Sequence, residues 1–343
     1  MMKKRLWSRW ILALTVVWPF MAAAHDRVRE KENFDFDWKF ILNADDQANA
    51  GMQVSETGWQ DVQLPHDWSI SQNFDPKLSG SNGHLPGGIG WYRKMFRVDK
   101  KDKGRRIAVL FDRIYSRSDV YVNGQHLGFR PYGFCYQEYD LTPYLNYGAE
   151  NVLAVRVNNP LEHDSVARWY TGAGIYRHAW LVKTAEVHVA SYGTYVTTPV
   201  VTAERAEVRV RTSVANEAER TKTLSVRQQI TDGEGRTVVQ SGKQALQVAA
   251  GQTADTEHTL KIPRPQLWDT EHPYLYTLHT AVYDGRKLVD TYETVLGVRT
   301  CEFTPVRGFL LNGKPLKLKG FCLHQDDASL GTALPLRSME RKG

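Results

Sequence analysis

The sequence predicts an all-β protein built from two antiparallel β-sandwiches. Apolar and polar residues alternate along segments such as 207–214 and 224–230, with a period of two that is typical of strands that bury one face. Between Phe34 and Thr300, no segment of useful length has helical periodicity. Four dipeptides predict hairpin turns: Asn-Gly at 123–124 and 312–313, and Asp-Gly at 232–233 and 284–285.

Residues 1–24 have the three parts of a secretory signal peptide. A basic start precedes an apolar stretch at 10–21, which is too short to span a bilayer comfortably, and Ala22-Ala23-Ala24 offers a small-residue cleavage site before His25. We therefore expect a secreted or periplasmic protein of bacterial type, with no membrane span after cleavage. An uncleaved membrane anchor is the alternative. The basic residues of the leader are Lys3, Lys4, Arg5 and Arg9.

Charge and cysteine content restrict the partners and cofactors that we expect. Losing the four basic residues of the leader and no acidic residue lowers the formal charge from +6 to +2, and no basic stripe remains to suggest a nucleic-acid partner. Three cysteines, Cys135, Cys301 and Cys322, are far apart and form neither a disulfide framework nor a metal-ligand cluster. We expect buried thiols and no metal or cofactor, and the sequence leaves a Cys301–Cys322 bridge open.

The first sandwich is predicted over 25–183 and the second over 184–300. The first contains a long connection at 72–90 that is rich in Gly, Ser, Asn and Pro, and such loops often carry binding groups. The size and turn spacing of the second suit an immunoglobulin-like sandwich. Its aromatic segment at 268–276 lies among prolines, so we interpret it as structural rather than as a binding site.

The segment 168–177, Arg-Trp-Tyr-Thr-Gly-Ala-Gly-Ile-Tyr-Arg, is the strongest candidate for a binding site. Its two glycines permit a tight turn that holds the aromatic rings close together. Trp and Tyr rings stack on apolar ligand faces, and the forked donors of Arg168 and Arg177 suit hydroxyls and carboxylates. The alternative is a sandwich corner with packed aromatic residues and a structural arginine.

This segment resembles the Gly-Ile-Tyr/Phe-Arg signature that closes the sugar-binding domain of glycoside hydrolase family 2. That family includes β-galactosidases, β-glucuronidases and β-mannosidases, and the motif variants here look most like secreted, bacterial β-galactosidase-like members. The resemblance implies a jelly-roll, galactose-binding-like first sandwich and an immunoglobulin-like second one. Further motifs occur in the family's order: Pro65-His66-Asp67-Trp68, Gly90-Trp91-Tyr92-Arg93, Val122-Asn123-Gly124, Trp268-Asp269 to Tyr274-Leu275-Tyr276, and Gly297-Val298-Arg299.

Residues 301–343 differ from both sandwiches. We expect a hairpin at 309–316, a strand at 317–324, and a helix that begins near Leu336 with Ser338 as its N-cap. The resemblance implies that these are the first strand and the start of the first helix of an incomplete TIM barrel. Because a barrel needs about 250 residues, we interpret the chain as the N-terminal portion of a longer enzyme or a truncated product. Apolar residues of this tail, including Phe321, should therefore lack burial partners.

The chain contains no residue that we assign as catalytic. Retaining glycoside hydrolysis needs two carboxylates about 5–5.5 Å apart. The resemblance places both, as glutamates, on later barrel strands that this chain does not contain. Asp326 and Asp327 are adjacent, and neighbouring side chains on an extended strand point to opposite faces. The chain alone is therefore expected to be inactive.

The candidate substrate-binding residues are Asp67, Arg168, Trp169, His324 and Asp326. His324 matches a family position at the end of barrel strand one that helps to hold the sugar. Arg168 stands where several relatives have an aspartate, so it can donate to hydroxyls or to a uronic-acid carboxylate but cannot accept. Asp67 either contacts ligand or ties a loop to the sandwich. Asp326 belongs to a loop or to the edge of the substrate site.

The resemblance implies hydrolysis of a terminal β-linked sugar with retention, and the expected partner is a β-galactoside-like glycan. A relative of β-glucuronidase or β-mannosidase type is the alternative within the family. A non-catalytic carbohydrate-binding protein that uses Trp68, Trp91 and Trp169 as stacking platforms is the alternative from another class. The sequence gives no indication of the oligomeric state.

Overall fold

The computed structural model describes residues 28–42, 45–160 and 168–342 of the chain. The predicted signal peptide at 1–24 lies outside these residues. In the described part, strands dominate, as the sequence predicts. No helix within the described ranges is long and apolar enough to cross a membrane.

The first sandwich consists of a six-stranded and a four-stranded antiparallel sheet. Its strands are β1 (Glu30–Asn33), β2 (Trp38–Leu42), β3 (Gln60–Val62), β4 (Gly88–Arg97), β5 (Arg106–Phe111), β6 (Ser118–Val122), β7 (Gln125–Arg130), β8 (Gln137–Asp140), β9 (Glu150–Asn159) and β10 (Ala179–Thr184). The six-stranded sheet has the order β3-β2-β4-β9-β6-β7, and the four-stranded sheet has the order β1-β10-β5-β8. The predicted Asn-Gly turn at 123–124 joins β6 to β7.

The core of the first sandwich is unusually aromatic. Its larger members are Trp38, Phe40, Trp68, Tyr92, Phe111 and Tyr139. Trp68 and Trp91 are 1% and 0% exposed. Neither can stack on a ligand, so the prediction that they serve as stacking platforms is wrong. Trp91 on β4 and Trp68 in the loop after β3 both point into packed regions of the sandwich. A large aromatic ring that is buried in this way removes more apolar area from water than any other side chain.

The second sandwich confirms the predicted alternation. Its strands are β11 (Val187–Val201), β12 (Arg205–Asn216), β13 (Lys222–Thr231), β14 (Thr237–Gln240), β15 (Gln244–Val248), β16 (Gln252–Pro263), β17 (Tyr276–Asp284) and β18 (Lys287–Leu296). One sheet has the order β11-β12-β16, and in the other β13 pairs with β17, β14 and β15 while β17 pairs with β18. On β12, Val208, Val210, Thr212 and Val214 are all buried.

The tail begins with a small sheet and ends in a short helix of five residues. It contains β19 (Cys301–Thr304), β20 (Gly308–Leu311), β21 (Lys314–Pro315) and α1 (Leu336–Glu340). The hairpin predicted at 309–316 is confirmed, with Asn312 and Gly313 at positive φ between β20 and β21. The prediction that Ser338 caps the helix is wrong, because Pro335 is the N-cap and the Ser338 N–H already donates to the Pro335 carbonyl (2.9 Å).

The strand predicted at 317–324 is not formed. These residues have no strand assignment, and Leu318, Phe321 and Leu323 are 65%, 82% and 59% exposed. A strand is stabilised by backbone hydrogen bonds to a neighbour, and none of the sheets in the described ranges includes this segment. The exposure of these apolar side chains agrees with the expectation that they lack burial partners.

The cysteines differ from the expectation of buried thiols. Cys301 and Cys322 are exposed, Cys135 is partly buried, and all three are free. The pairing of Cys301 with Cys322 that the sequence left open is therefore not formed. Cys301 begins β19 at the molecular surface, and Cys322 lies in the unpaired segment, so neither belongs to a packed core.

Charged residues join the two sandwiches. Arg29, just before β1, binds the carboxylate of Asp290 on β18 through Nε (3.0 Å) and Nη2 (2.8 Å). Arg106 on β5 contacts Glu138 and Glu217, both at 2.8 Å, and Glu217 belongs to the second sandwich. These pairs fix one sandwich against the other at the base of strand β11.

Candidate functional site

The loop at 168–177 is held in the first sandwich by backbone hydrogen bonds on both sides. The N–H of His66 donates to the carbonyl of Ile175 (2.8 Å), and the N–H of Trp68 donates to that of Ala173 (3.1 Å). On the other side, Tyr115 and Gly174 exchange two hydrogen bonds at 2.9 and 2.8 Å. The second half of the loop is buried, while Arg168 is exposed and Trp169 and Tyr170 are partly buried.

Asp67 is the centre of this arrangement. It is 3% exposed, and its carboxylate accepts five hydrogen bonds from protein groups. Oδ1 accepts from the N–H groups of Ser69 (3.1 Å) and Ala173 (3.0 Å). Oδ2 accepts from the Tyr170 hydroxyl (2.9 Å) and from the N–H and hydroxyl of Thr332 (2.9 and 3.0 Å). Asp67 thus joins the loop to the tail. Such a structural role is close to the second of the two roles predicted for Asp67, in which it holds a loop to the sandwich instead of contacting ligand.

Two glycines let the backbone approach this carboxylate. Gly172 and Gly331 have φ values of 64° and 58°, in the left-handed region that favours glycine. A Cβ at either position would also collide with Asp67 Oδ2. The sequence predicts a tight turn at Gly172, because this glycine lies within the aromatic segment. No motif marks Gly331, so its role follows only from the position of the tail in the structure.

Burial raises the pKa of the Asp67 carboxyl above its usual value, and the hydrogen bonds from Thr332, Ala173 and Tyr170 oppose that rise. Burial, followed by the nearby charge of Asp67, also raises the pKa of the Tyr170 hydroxyl far above its usual value. Tyr170 therefore remains a proton donor to Asp67. The charge of Asp326 also contributes to the rise in the Tyr170 pKa.

Trp169 and His324 stack on each other beside the Asp67 centre. Their ring centroids are 5.2 Å apart and their planes differ by 20°. Phe134 also lies near the indole, at 6.4 Å between centroids and with its plane tilted by 52°. Trp169 is partly buried and His324 is exposed, so the pair forms an aromatic surface at the edge of the loop. Arg168, the preceding residue, is exposed.

The structure therefore gathers four of the predicted site residues in one region: Asp67, Trp169, His324 and Asp326. Arg168 joins them as the direct neighbour of Trp169. The role of these five residues in substrate binding stays a prediction. For Asp67, all the described contacts are to protein donors, which favours the structural tie over a direct contact with sugar.

A cavity of about 580 Å³ lies next to the stacked pair, where the two sandwiches and the tail meet. This volume is within the usual range for small-molecule sites. Burial, together with the like charge of Arg113, lowers the pKa of Arg177, whose Nη1 donates to the carbonyls of Tyr176 (2.8 Å) and Thr332 (2.6 Å). Sequence reasoning missed most of the lining, since it comes from segments with no local motif. The lining residues are Asp112, Arg113, Phe134, Tyr176, Arg177, Tyr192 and Gln325.

The adjacent carboxylates of the tail do not form an acid and nucleophile pair. Asp327 accepts a hydrogen bond from the Ser329 N–H (3.1 Å) and lies 3.5 Å from Lys342 Nζ. The Ser329 hydrogen bond and the Lys342 charge lower the pKa of Asp327, which is the opposite of what a general acid needs. Within the described ranges, no group of three or more His, Cys, Asp or Glu side chains could hold a metal ion.

The aromatic cluster at 268–276 packs within the second sandwich. Tyr274 and Tyr276 are in edge contact at 5.0 Å, and Arg299 lies over the Trp268 ring at 4.9 Å. Both tyrosine hydroxyls accept backbone N–H groups, from Gly233 (3.1 Å) and Gln266 (2.9 Å). These contacts are those of the structural cluster that the sequence favours.

Curated relatives match along most of this chain. It is 42% identical over 316 residues to the β-galactosidase BoGH2A of Bacteroides ovatus, covering 91% of this chain and 36% of the relative. It is 34% identical over 336 residues to a β-glucuronidase of Formosa agariphila, covering 90% of this chain and 33% of the relative. The chain thus spans about a third of the length of these relatives.

Solved structures and family models agree with these matches. A glycosyl hydrolase family 2 member from Bacteroides cellulosilyticus superposes with a TM-score of 0.83 at 38% identity, covering 91% of this chain and 42% of that one. The model of the family 2 sugar-binding domain matches residues 32–185, and a second model described as glycosyl hydrolases family 2 matches residues 187–299. The family predicted from the motifs is confirmed: the chain belongs to glycoside hydrolase family 2.

Proposed function

We propose that this chain is the N-terminal part of a retaining glycoside hydrolase that acts on terminal β-linked sugars, most similar to the β-galactosidases. The observation that carries the proposal is the stacked pair of Trp169 and His324, which joins the sugar-binding domain to the tail at the predicted substrate site. A partly buried indole beside an exposed imidazole suits the apolar face and the hydroxyls of a pyranose. The names of the relatives in Bacteroides ovatus and Formosa agariphila support the hydrolase class.

Arg168 supports a second candidate, a β-glucuronide substrate. The side chain is exposed beside Trp169 and can only donate hydrogen bonds. A guanidinium suits a uronic-acid carboxylate as a bidentate partner, and one of the relatives is named a β-glucuronidase. The non-catalytic alternative retains a single platform, Trp169, because Trp68 and Trp91 are buried.

Sugar binding tests the proposal directly. We expect methyl β-galactoside to produce saturation-transfer NMR signals with residues 25–343, and Trp169→Ala to abolish them. Trp59→Ala is the matched control, since Trp59 packs near Arg93, away from the stacked pair. Methyl β-glucuronide should bind more tightly than the galactoside only if the second candidate holds, and Arg168→Ala should then remove that preference. Equal signals in the wild type and in Trp169→Ala would contradict the assigned site.

Residues 25–343 alone should show no glycosidase activity. Retaining hydrolysis needs two convergent carboxylates, and the sequence predicts neither of them in this chain. The adjacent pair Asp326 and Asp327 does not supply them, because Asp327 is engaged by Ser329 and Lys342. The measurement is release of aryl alcohol from a panel of aryl β-glycosides. Turnover that survives repurification and specific inhibition would contradict this expectation.

Export is the third part of the proposal. The order of basic, apolar and small residues at the N-terminus supports cleavage after Ala24 and a secreted or periplasmic location. Mass spectrometry of the expressed protein should find His25 as the first residue. An intact Met1 in the membrane fraction would support the uncleaved anchor instead.

A further inference from the structure

We infer that Asp67 is a positioning residue that sets the sugar-binding surface by holding the tail against the aromatic loop. Trp169 and His324 belong to segments far apart in the sequence, and their stacking requires that these segments be fixed relative to each other. Asp67 is placed to do this, because it accepts from Tyr170, one residue after Trp169, and from Thr332, eight residues after His324. This inference rests on the proposed function for its consequence in sugar binding.

The connection to the tail is specific. Thr332 is 265 positions from Asp67 in the sequence and is 0% exposed. It donates both its backbone N–H and its hydroxyl to the same oxygen, Oδ2. The carbonyl of Thr332 accepts from Arg177 Nη1 (2.6 Å), so the loop also binds the tail from its other end. Leu334, which follows, is 3% exposed. The tail is therefore anchored at 331–334, although its preceding apolar residues are exposed.

A carboxylate is required at this position rather than any polar side chain. All five hydrogen-bonding partners of Asp67 are donors, three on Oδ2 and two on Oδ1. An asparagine would place its NH₂ group against the N–H groups of Ser69 and Ala173 in one orientation of the amide, and against the N–H of Thr332 in the other, where only the two hydroxyls can turn to accept. Either orientation leaves at least one buried N–H without an acceptor. We expect the hydrogen bonds to Thr332 to be lost, because the tail is a separate segment that can move away from the loop.

The role differs from general stabilisation of the sandwich. Asp35 is a matched buried carboxylate, 4% exposed, in the same sandwich. It accepts from the Ala179 N–H (2.8 Å), from Asn33 Nδ2 (2.8 Å) and from His178 Nδ1 (2.7 Å), and none of these groups belongs to the tail. Its loss should weaken the fold without releasing His324.

Proton NMR of residues 25–343 gives a readout that a purely structural role would not move. The ring current of Trp169 should shift the imidazole proton resonances of His324 away from the positions of an unstacked histidine. These resonances are assigned by their loss in His324→Gln. We expect Asp67→Asn to return these resonances to the positions of an unstacked histidine while the methyl resonances of both sandwiches stay dispersed. Thr332→Val, which removes only one donor to Oδ2, should shift them part of the way. Asp35→Asn should leave them in place.

Two results would overturn the inference: unchanged His324 resonances in Asp67→Asn, or the same displacement in Asp35→Asn as in Asp67→Asn. If Asp67→Asn does not fold, Thr332→Val decides, and unchanged His324 resonances in that variant count against the inference. The NMR experiment contains no sugar. Failure of methyl β-galactoside to bind the wild type would therefore count against the proposed function alone, and the positioning role of Asp67 would stand or fall on the His324 signal.

Discussion

Arg29→Ala should lower the free energy of unfolding by about 3–5 kcal/mol, the range expected when a buried ion pair loses one partner. The side chain of Asp290 is 0% exposed and is bound by the Arg29 guanidinium through two hydrogen bonds. The carboxylate also accepts from the N–H of Val189 (2.7 Å). Removing the guanidinium would leave a buried carboxylate without its counter-charge, and burial already raises the pKa of Asp290.

Urea unfolding followed by circular dichroism measures this loss. Lys39→Ala is the control, because the Lys39–Asp61 pair is exposed and should change the midpoint little. Adding Asp290→Asn to Arg29→Ala should restore part of the loss, since the buried charge is then removed as well. A midpoint for Arg29→Ala equal to that of the wild type would contradict the role of this pair.

The sandwiches could be predicted because their signals are local. The residues of β12 that alternate in the sequence are the residues that alternate between core and solvent, and the Asn-Gly turns lie at the expected hairpins. A strand face is set by the side-chain period of two within a few residues. The buried positions of Trp68 and Trp91 were not predicted, because a tryptophan has the same sequence signal in a core and on a binding surface.

The centre of the site could not be predicted in the same way. Asp67 was named from its motif, but its decisive partner, Thr332, lies 265 positions away and carries no motif of its own. The stacking of His324 on Trp169 is likewise a product of tertiary placement. In the tail, by contrast, the sequence predicted a strand that is not formed. Residues 317–324 have the composition of a strand, but a strand also requires a hydrogen-bonded neighbour, which composition does not provide.

Acid should destabilise the protein through His188, at the joint between the sandwiches. Burial, together with the charges of Arg106 and Arg29, lowers the pKa of His188 from 6.5 to about 3. The nearest acidic group is Glu217, 4.0 Å away, whose own pKa is raised by burial. His188 is 5% exposed, so the imidazolium has little access to solvent. The folded state therefore keeps His188 neutral at a pH where the unfolded chain binds a proton.

The sign follows from proton linkage. Because the folded pKa lies below the unfolded value, the contribution of His188 is fully present above about pH 6.5 and is lost as the pH falls toward 3. About 2 kcal/mol should be lost between pH 6.5 and pH 5, where the ordinary carboxylates remain ionised, and roughly 5 kcal/mol over the whole range. His188→Gln cannot titrate, so its free energy of unfolding should vary less with pH across this window.

Urea midpoints at pH 7, 6 and 5 distinguish the outcomes. The wild type should lose stability at each step, and His188→Gln should lose about 2 kcal/mol less than the wild type between pH 7 and 5. His272→Gln is the control, because the His272 side chain is 82% exposed and should leave the wild-type slope unchanged. Burial also lowers the pKa of His66 to about 4. His66 is present in the wild type and in His188→Gln, so it contributes to the dependence of stability on pH that remains in His188→Gln. Parallel slopes for the wild type and His188→Gln would show that protonation of the joint does not control the acid stability of this chain.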